Sequence, residues 1–229
     1  MKQSLVSLKK NIIEAGKRAY ARGYVASNDG NISARVDKKH VLITPTGISK
    51  GFMKTSDLIV VDMHGKIISG KRKPSSEIQV HLQIYKERAD VNSVCHLHPP
   101  YATGFSVAGI PLDQDSLSEV IISLGNIPLV PYCAPGTEDF YKPLLPLLQQ
   151  YDAFLLANHG ALAVGTDVFN AYFKMETLEH YAHILFIAKQ LGNVNTLNAE
   201  QVQKLAALRE KFDIRTTLGN DFGKRGSSQ

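Results

Sequence analysis

The run Val91-Asn92-Ser93-Val94-Cys95-His96-Leu97-His98-Pro99-Pro100 decides how the chain is read. It is β-branched and apolar as far as His98 and then meets two prolines, so it reads as a strand entering a loop or a helix. Side chains two apart on a strand share a face, so His96 and His98 present both imidazoles to one side while Cys95 and Leu97 face the other. Just upstream, Pro74-Ser75-Ser76-Glu77 carries a helix-start signal, a Ser ahead of a Glu and of an amphipathic run with Ile78, Leu82, Ile84 and Tyr85. Just downstream, Tyr101 to Val107 reads as a short helix. A strand flanked by helices in this way belongs to a sheet with helices on its faces.

Toward the N-terminus, Leu5, Leu8, Ile12, Ala15, Ala19 and Tyr20 recur at three- and four-residue steps and predict a helix over about residues 3–22. Short β-rich runs follow at 31–36, 40–44, 58–62 and 66–69, the last two forming a hairpin around Met63-His64-Gly65. Toward the C-terminus the pattern predicts a helix over 117–124, a strand over 129–132 and a proline-interrupted helix over 138–149. Buried strands over 153–157 and 161–164 come next. A long helix follows over 167–191, with Tyr172, Phe173, Leu178, Tyr181, Leu185 and Ala188 on its apolar side, and a last one over 198–212. Residues 219–229 are rich in Gly, Ser and Lys and are expected to be disordered. Hairpins first and strands between helices later predict one α/β domain over residues 1–218: a three-layer arrangement with a mixed, largely antiparallel central sheet flanked by helices.

The 229 residues are 44% hydrophobic, enough for a sizeable core without staples, since a chain of this size buries roughly 70% of its unfolded surface. Two cysteines make no disulfide framework, and no charged start with an apolar segment and cleavage site follows Met1; a reducing cytoplasm is the expected location. No apolar run approaches the ~20 residues of a membrane span. The chain has 26 Lys+Arg against 21 Asp+Glu. The densest basic runs, Lys71-Arg72-Lys73 and Lys224-Arg225, lack interleaved aromatic platforms, which argues against nucleic acid; the net charge of +5 reads first as a solvated surface, with an anionic small molecule as the other option.

A third histidine, His159, follows the apolar run Phe154-Leu155-Leu156-Ala157 and precedes Gly160, where a strand end hands a side chain to a cleft. Three neutral imidazoles with an open position make a catalytic divalent-metal site, Zn²⁺ first and Co²⁺ or Mn²⁺ as alternatives. His81, His180 and His183 in helical segments, and His40 and His64 at strand or turn edges, read as partly exposed or core-satisfied imidazoles, and Cys133 as a small buried hydrophobe. Gly30-Asn31, Thr46-Gly47 and Ser75-Ser76 are turn residues that together form an anion cradle of backbone N–H groups, hydroxyls and a helix N-terminus, suited to a phosphate monoester. Glu77 stands beside that cradle. It is either a capping carboxylate or a general acid/base that takes a proton from carbon beside a carbonyl, with a divalent cation stabilising the enediolate.

In order, G-N-x-S (Gly30 to Ser33), I-T-P-T-G (Ile43 to Gly47), S-S-E (Ser75 to Glu77), H-x-H (His96, His98) and N-H-G (Asn158 to Gly160) resemble the class II aldolase/adducin family over about residues 5–212. The resemblance implies a mixed sheet of about nine strands flanked by helices, assembled as a homotetramer with sites at subunit interfaces. It implies that His96, His98 and His159 bind Zn²⁺ and that Glu77 is the acid/base and touches the metal in the resting enzyme. Asn31, Thr46, Gly47, Ser75 and Ser76 would hold the substrate phosphate. The implied reaction is retro-aldol cleavage of a ketose 1-phosphate, such as L-fuculose 1-phosphate, to dihydroxyacetone phosphate and an aldehyde. Members that cleave fuculose 1-phosphate use a tyrosine of the neighbouring subunit after the segment matching Gly109-Ile110-Pro111, whereas this chain reads Leu112-Asp113-Gln114-Asp115-Ser116-Leu117. Asp113 or Asp115 can supply the missing acid or simply cap the following helix. A sugar-phosphate 4-epimerase, decarboxylase or dehydratase would use the same metal site, and a non-catalytic adducin-like scaffold would lack it.

Overall fold

The structure, a computed structural model, describes residues 3–137 and 139–211. Helix α1 (Leu5–Ala21) starts where the Ser4 hydroxyl accepts from the Ser7 N–H at 3.2 Å, and it turns Leu8, Ile12, Ala15 and Ala19 inward. Four short strands follow, β1 (Asn31–Arg35), β2 (His40–Ile43), β3 (Ile59–Asp62) and β4 (Ile67–Ser69), then helix α2 (Ile78–Glu87) and strand β5 (Ser93–Leu97). Helices α3 (Pro100–Val107) and α4 (Ser118–Ser123), strand β6 (Leu129–Val130) and a 3-10 helix (Lys142–Leu147) lead to strands β7 (Ala153–Leu156) and β8 (Gly160–Gly165). Helices α5 (Val168–Leu191) and α6 (Ala199–Lys211) close the described chain.

The strands form one sheet in the order β4-β3-β2-β1-β5-β8-β7-β6, antiparallel throughout except for β6 beside β7. The register sets Asn31 opposite His96 and Ser33 opposite Val94 between β1 and β5, and His96 opposite Leu162 between β5 and β8. Because strand side chains alternate, the sheet has two apolar faces. Ile32, Ala34, Cys95, Leu97, Ala161 and Ala163 pack with α1, α3 and α5. Val41, Ile43, Val94, Leu162 and Val164 pack with α2 and the 3-10 helix. The expected α/β architecture, a mixed and largely antiparallel sheet between helices, is therefore the observed one, with eight strands among the described residues rather than about nine.

Three local expectations change. Pro143 and Pro146 lack the N–H that an α-helix needs, so the segment expected to be an interrupted helix over 138–149 winds as 3-10 over six residues. On α5, Tyr172 is buried and its neighbour Phe173 is 49% exposed, since successive helical residues point about 100° apart and cannot both face the sheet. Ala188 is also only half-buried. Phe212 and the tail expected to be disordered over 219–229 lie outside the described residues.

The C-terminal end of α2 is anchored by Arg88, whose guanidinium is 2% exposed. It donates to Asp152 at 2.8 Å, to both Asp90 oxygens and to the Leu148 carbonyl, and Lys174 reaches the second Asp152 oxygen at 2.7 Å. Removing one partner from a buried ionic network leaves charge uncompensated. Arg88→Met is expected to lower the unfolding free energy by about 3 kcal/mol, measured by urea denaturation, with Lys174 keeping the loss at the lower end of what buried pairs show.

Candidate active site

The site forms where three connections meet on the α2 face of the sheet. His96 lies inside β5 and is 2% exposed; His98 sits just past its end, on the same side. The turn between β7 and β8 brings His159 to the same place. Asn158 in that turn adopts φ +56°, and a Cβ at Gly160 would meet His98 Cδ2 at 2.5 Å and the Leu97 carbonyl at 2.7 Å, so only glycine lets the turn close against His98. The ring centroids of the three histidines are 4.7 to 5.0 Å apart, and their ligand atoms lie within 4.8 Å of one another.

Glu77 is the residue immediately before α2. Its side chain makes no capping hydrogen bond, so the capping alternative is not the one adopted. Instead Oε2 lies 3.2 Å from His96 Nε2 and accepts from Asn31 Nδ2 at 2.7 Å, while Oε1 lies 3.3 Å from His159 Nε2. Burial opposes ionisation, but the attraction and hydrogen bond of His96, the Asn31 amide and His159 outweigh it and hold the Glu77 carboxyl well below the usual carboxylate range. Burial, and next the repulsion of His96, push His98 and His159 down to about 4 each, so both are neutral imidazoles near pH 7. Burial also opposes charging of His96, yet Glu77 raises it.

The donor set fits a divalent cation. His96 Nδ1 faces the Ala161 carbonyl at 2.9 Å and His98 Nδ1 faces Asp29 at 3.5 Å, so a cation that displaces the His96 Nε2–H from Glu77 would leave the proton of each neutral ring on Nδ1 and its lone pair on Nε2. Those two Nε2 atoms are 3.3 Å apart. Two imidazole nitrogens bound tetrahedrally to one cation at about 2.1 Å stand about 3.4 Å apart, whereas two bare lone pairs at that distance repel. Among the described residues, the buried His159 Nδ1 has no hydrogen-bond partner. The three rings and Glu77 are thus arranged for a cation.

Beside the histidines is a cavity of about 190 Å³ lined by Asn28, Asp29, Gly30, Asn31, Pro45, Thr46, Ser75, Ser76, Glu77, His98 and His159. Larger clefts of about 440 and 610 Å³ lie elsewhere and hold no comparable convergence of ligands, so chemistry rather than volume marks the site. The residues expected to cradle phosphate gather here, apart from Gly47, which follows Thr46 at φ +73° without being one of the lining residues. The cradle differs from expectation in its donors: Thr46 N–H bonds the Lys73 carbonyl and Ser75 N–H the Thr44 carbonyl, both at 3.2 Å, so these two amides stitch the loops together, while Thr46, Ser75 and Ser76 line the cavity and Ser75 Oγ accepts the Glu77 N–H at 3.3 Å. Asp113 and Asp115 do not line the cavity; Tyr181 ties their segment to α5 by donating to the Gln114 carbonyl, and Leu197 N–H bonds the Asp115 carbonyl.

Three residues carry weight that sequence reading did not assign. Lys50, 1% exposed, donates from Nζ to the Asn28 and Ile48 carbonyls at 2.8 and 2.9 Å and pins together two loops that frame the cavity. Asp29 faces His98. His81, read as an ordinary helical histidine, is fully enclosed beside Asn31. The only signal that existed was the G-N-x-S motif itself, which does not name its partners.

Residues 10–186 match the model of the "Class II Aldolase and Adducin N-terminal domain" family. The chain is 35% identical over 183 residues to a 3-oxo-tetronate 4-phosphate decarboxylase of Haemophilus influenzae, covering 78% of this chain and 86% of that one. It is 38% identical over 175 residues to an L-fuculose phosphate aldolase of Methanococcus vannielii, covering 76% and 93%. Among solved structures, an L-fuculose 1-phosphate aldolase superposes with a TM-score of 0.82 at 31% identity over 90% of this chain and 96% of the other.

Two outcomes follow from the local geometry. Gly160→Ala should displace His98 and weaken divalent-metal binding on the order of ten- to a hundred-fold in a chelator competition; unchanged affinity would refute the close-packing argument. Burial pushes the Lys50 ammonium down to about 8, with Asp29 pulling it partly back, from 10.5 in the open chain. Between those two values the unfolded chain binds more protons than the folded one, so stability rises with pH across that window and the penalty of the buried ammonium is carried below it. In urea titrations, wild-type stability relative to Lys50→Met should therefore climb from about pH 8 to pH 10.5.

Proposed function

Because the chain belongs to the class II aldolase/adducin family, we propose that it is a metal-dependent lyase that cleaves a ketose 1-phosphate, such as L-fuculose 1-phosphate or a related sugar phosphate, to dihydroxyacetone phosphate and an aldehyde. The observation that carries this reading is Glu77. It is a carboxylate held ionised between two of three converging imidazoles, at the wall of a cavity also lined by the hydroxyl residues Thr46, Ser75 and Ser76, by Gly30, and by Asn28, Asp29 and Asn31.

In this reading His96, His98 and His159 hold the cation, zinc by preference of an all-imidazole set, and a bound divalent ion supplies Lewis-acid withdrawal of electron density from the substrate carbonyl. Thr46, Gly47, Ser75, Ser76, Gly30 and Asn31 orient the phosphate end, and Lys50 keeps the loops that carry them in register. When the carbon–carbon bond breaks, its electron pair stays on the carbon beside the carbonyl, and that carbon must take up a proton. The hydroxyl that becomes the aldehyde gives up one proton, so the balance closes if a second group takes that proton, passes it to the Glu77 carboxylate, and Glu77 then delivers it to carbon. A neighbouring subunit of a homotetramer would provide that second group.

A decarboxylase reading is the runner-up, favoured by the 35% identity to a 3-oxo-tetronate 4-phosphate decarboxylase. A 3-oxo acid loses carbon dioxide from a carboxylate that is already deprotonated, so no second acid/base is needed on the leaving side. Decarboxylation of 3-oxo-tetronate 4-phosphate also yields dihydroxyacetone phosphate, which makes the two reactions differ only in the co-product. Epimerase and dehydratase chemistry would release neither co-product.

The deciding experiment follows dihydroxyacetone phosphate, aldehyde and carbon dioxide from fuculose, rhamnulose, ribulose and 5-deoxyribulose 1-phosphates and from 3-oxo-tetronate 4-phosphate, with and without a chelator. Chelator-sensitive release with aldehyde establishes the aldolase and with carbon dioxide the decarboxylase; no release from metal-loaded protein refutes both. Glu77→Gln is expected to retain metal and lose turnover by about a hundred-fold or more, while His96→Ala loses both metal and turnover. An active Glu77→Gln protein would remove Glu77 from the mechanism.

A further inference from the structure

Behind Glu77 runs a buried chain of side chains, of which the reaction above uses only Asn31. On β1, Asn31 and Ser33 are two residues apart and face α2; on α2, His81 and Tyr85 are four apart and face β1. Asn31 Nδ2 lies 2.7 Å from Glu77 Oε2, Asn31 Oδ1 2.5 Å from His81 Nε2, and Ser33 Oγ 2.7 Å from both His81 Nδ1 and Tyr85 Oη. Asn31, Ser33, His81 and Tyr85 are all buried.

The direction of each hydrogen bond follows from one end. An ionised carboxylate can only accept, so the Asn31 NH₂ faces Glu77 and the Asn31 oxygen faces His81. That oxygen can only accept, so His81 Nε2 carries the proton. Enclosure keeps the His81 ring neutral, burial being the first cause and the repulsion of His96 the second. Nδ1 is then a bare acceptor, which the Ser33 hydroxyl fills, and Ser33 in turn accepts from Tyr85. Turning the Asn31 amide over would set oxygen against carboxylate and N–H against N–H.

We infer that His81 is a positioning residue: its Nε2–H locks the Asn31 side-chain amide with the NH₂ toward Glu77, and so fixes the acid/base oxygen through a residue that would otherwise be read only as part of the phosphate cradle. The inference rests on the assignment of Glu77 as acid/base, but the tautomer it requires does not depend on any reaction.

The test pairs two variants with a spectroscopic measurement on the metal-loaded protein. His81→Leu removes the donor; His81→Gln keeps an N–H where Nε2 was. His81→Leu should lower kcat on the order of ten- to a hundred-fold with little change in KM or metal content, and His81→Gln should recover most of it. Equal kcat for wild type and folded His81→Leu, or no recovery in His81→Gln, overturns the inference. In ¹⁵N-labelled wild type, His81 should show the Nε2–H tautomer from about pH 5 to 8, without substrate present. An Nδ1–H tautomer overturns the inference even if His81→Leu fails to fold. Wild-type protein inert toward the whole substrate panel would count against the lyase reading, and the tautomer would then decide the positioning role alone.

Discussion

A carboxylate buried at the foot of a helix is the constraint around which the rest is arranged. Removing an ionised group from water is unfavourable by several kcal/mol unless donors replace the lost hydration. Glu77 keeps its charge because Asn31 from β1, His96 from β5 and His159 from the β7–β8 turn all reach its two oxygens. Those donors come from positions spread over more than a hundred residues of chain, and only a sheet in which β1 pairs β5 and β5 pairs β8 sets them side by side. The β1–β5 register places Asn31 directly across from His96. A slip of one residue would send both side chains to the opposite, wholly apolar face.

The two faces of the sheet divide the work accordingly. One is sealed by α1, α3 and α5 with side chains such as Ile12, Phe105, Tyr172 and Leu178, and gives rigidity. The other carries α2, whose two ends do different things about 15 Å apart. Its C-terminal end is fastened by Arg88 to Asp90 and Asp152, and its N-terminal end delivers Glu77 to the histidines. Between them, His81 and Tyr85 meet Ser33 and Asn31, so the helix is held to β1 by polar contacts in the stretch next to the site and by ordinary apolar packing elsewhere. A strand that alternates Asn31, Ser33, Arg35 on one side with Ile32 and Ala34 on the other serves both purposes at once.

Much of this was legible in the residues. Period-two alternation alone puts His96 and His98 on one face and Cys95 on the other, and a strand ending at His159 before Gly160 announces a side chain aimed into a cleft. The hairpins of the N-terminal half and the long α5 were legible for the same reason, since their periodicity is local. Phe173 was misplaced because apolar character was counted without its direction round the helix, and the segment from residue 138 because prolines change the kind of helix and not only its continuity. His81 was passed over because a histidine in an amphipathic run looks alike whether it fills a core or polarises an amide fifty residues earlier. Lys50 gave no sign at all, for its carbonyl partners have no residue identity to read.

By itself, then, the sequence determined the family, the α/β sheet with helices on both faces, and the kinds of group available for chemistry: three imidazoles, one carboxylate, and small hydroxyl residues in turns. These depend on local periodicity, on residue type and on motif order, all of which survive in one dimension. The tertiary structure decided which oxygen of Glu77 meets which ring, which way the Asn31 amide points, and that Asp113 and Asp115 stand apart from the cavity. Those are matters of distance and direction between residues far apart in the chain, and hydrogen bonds acquire their direction only when the partners are in place.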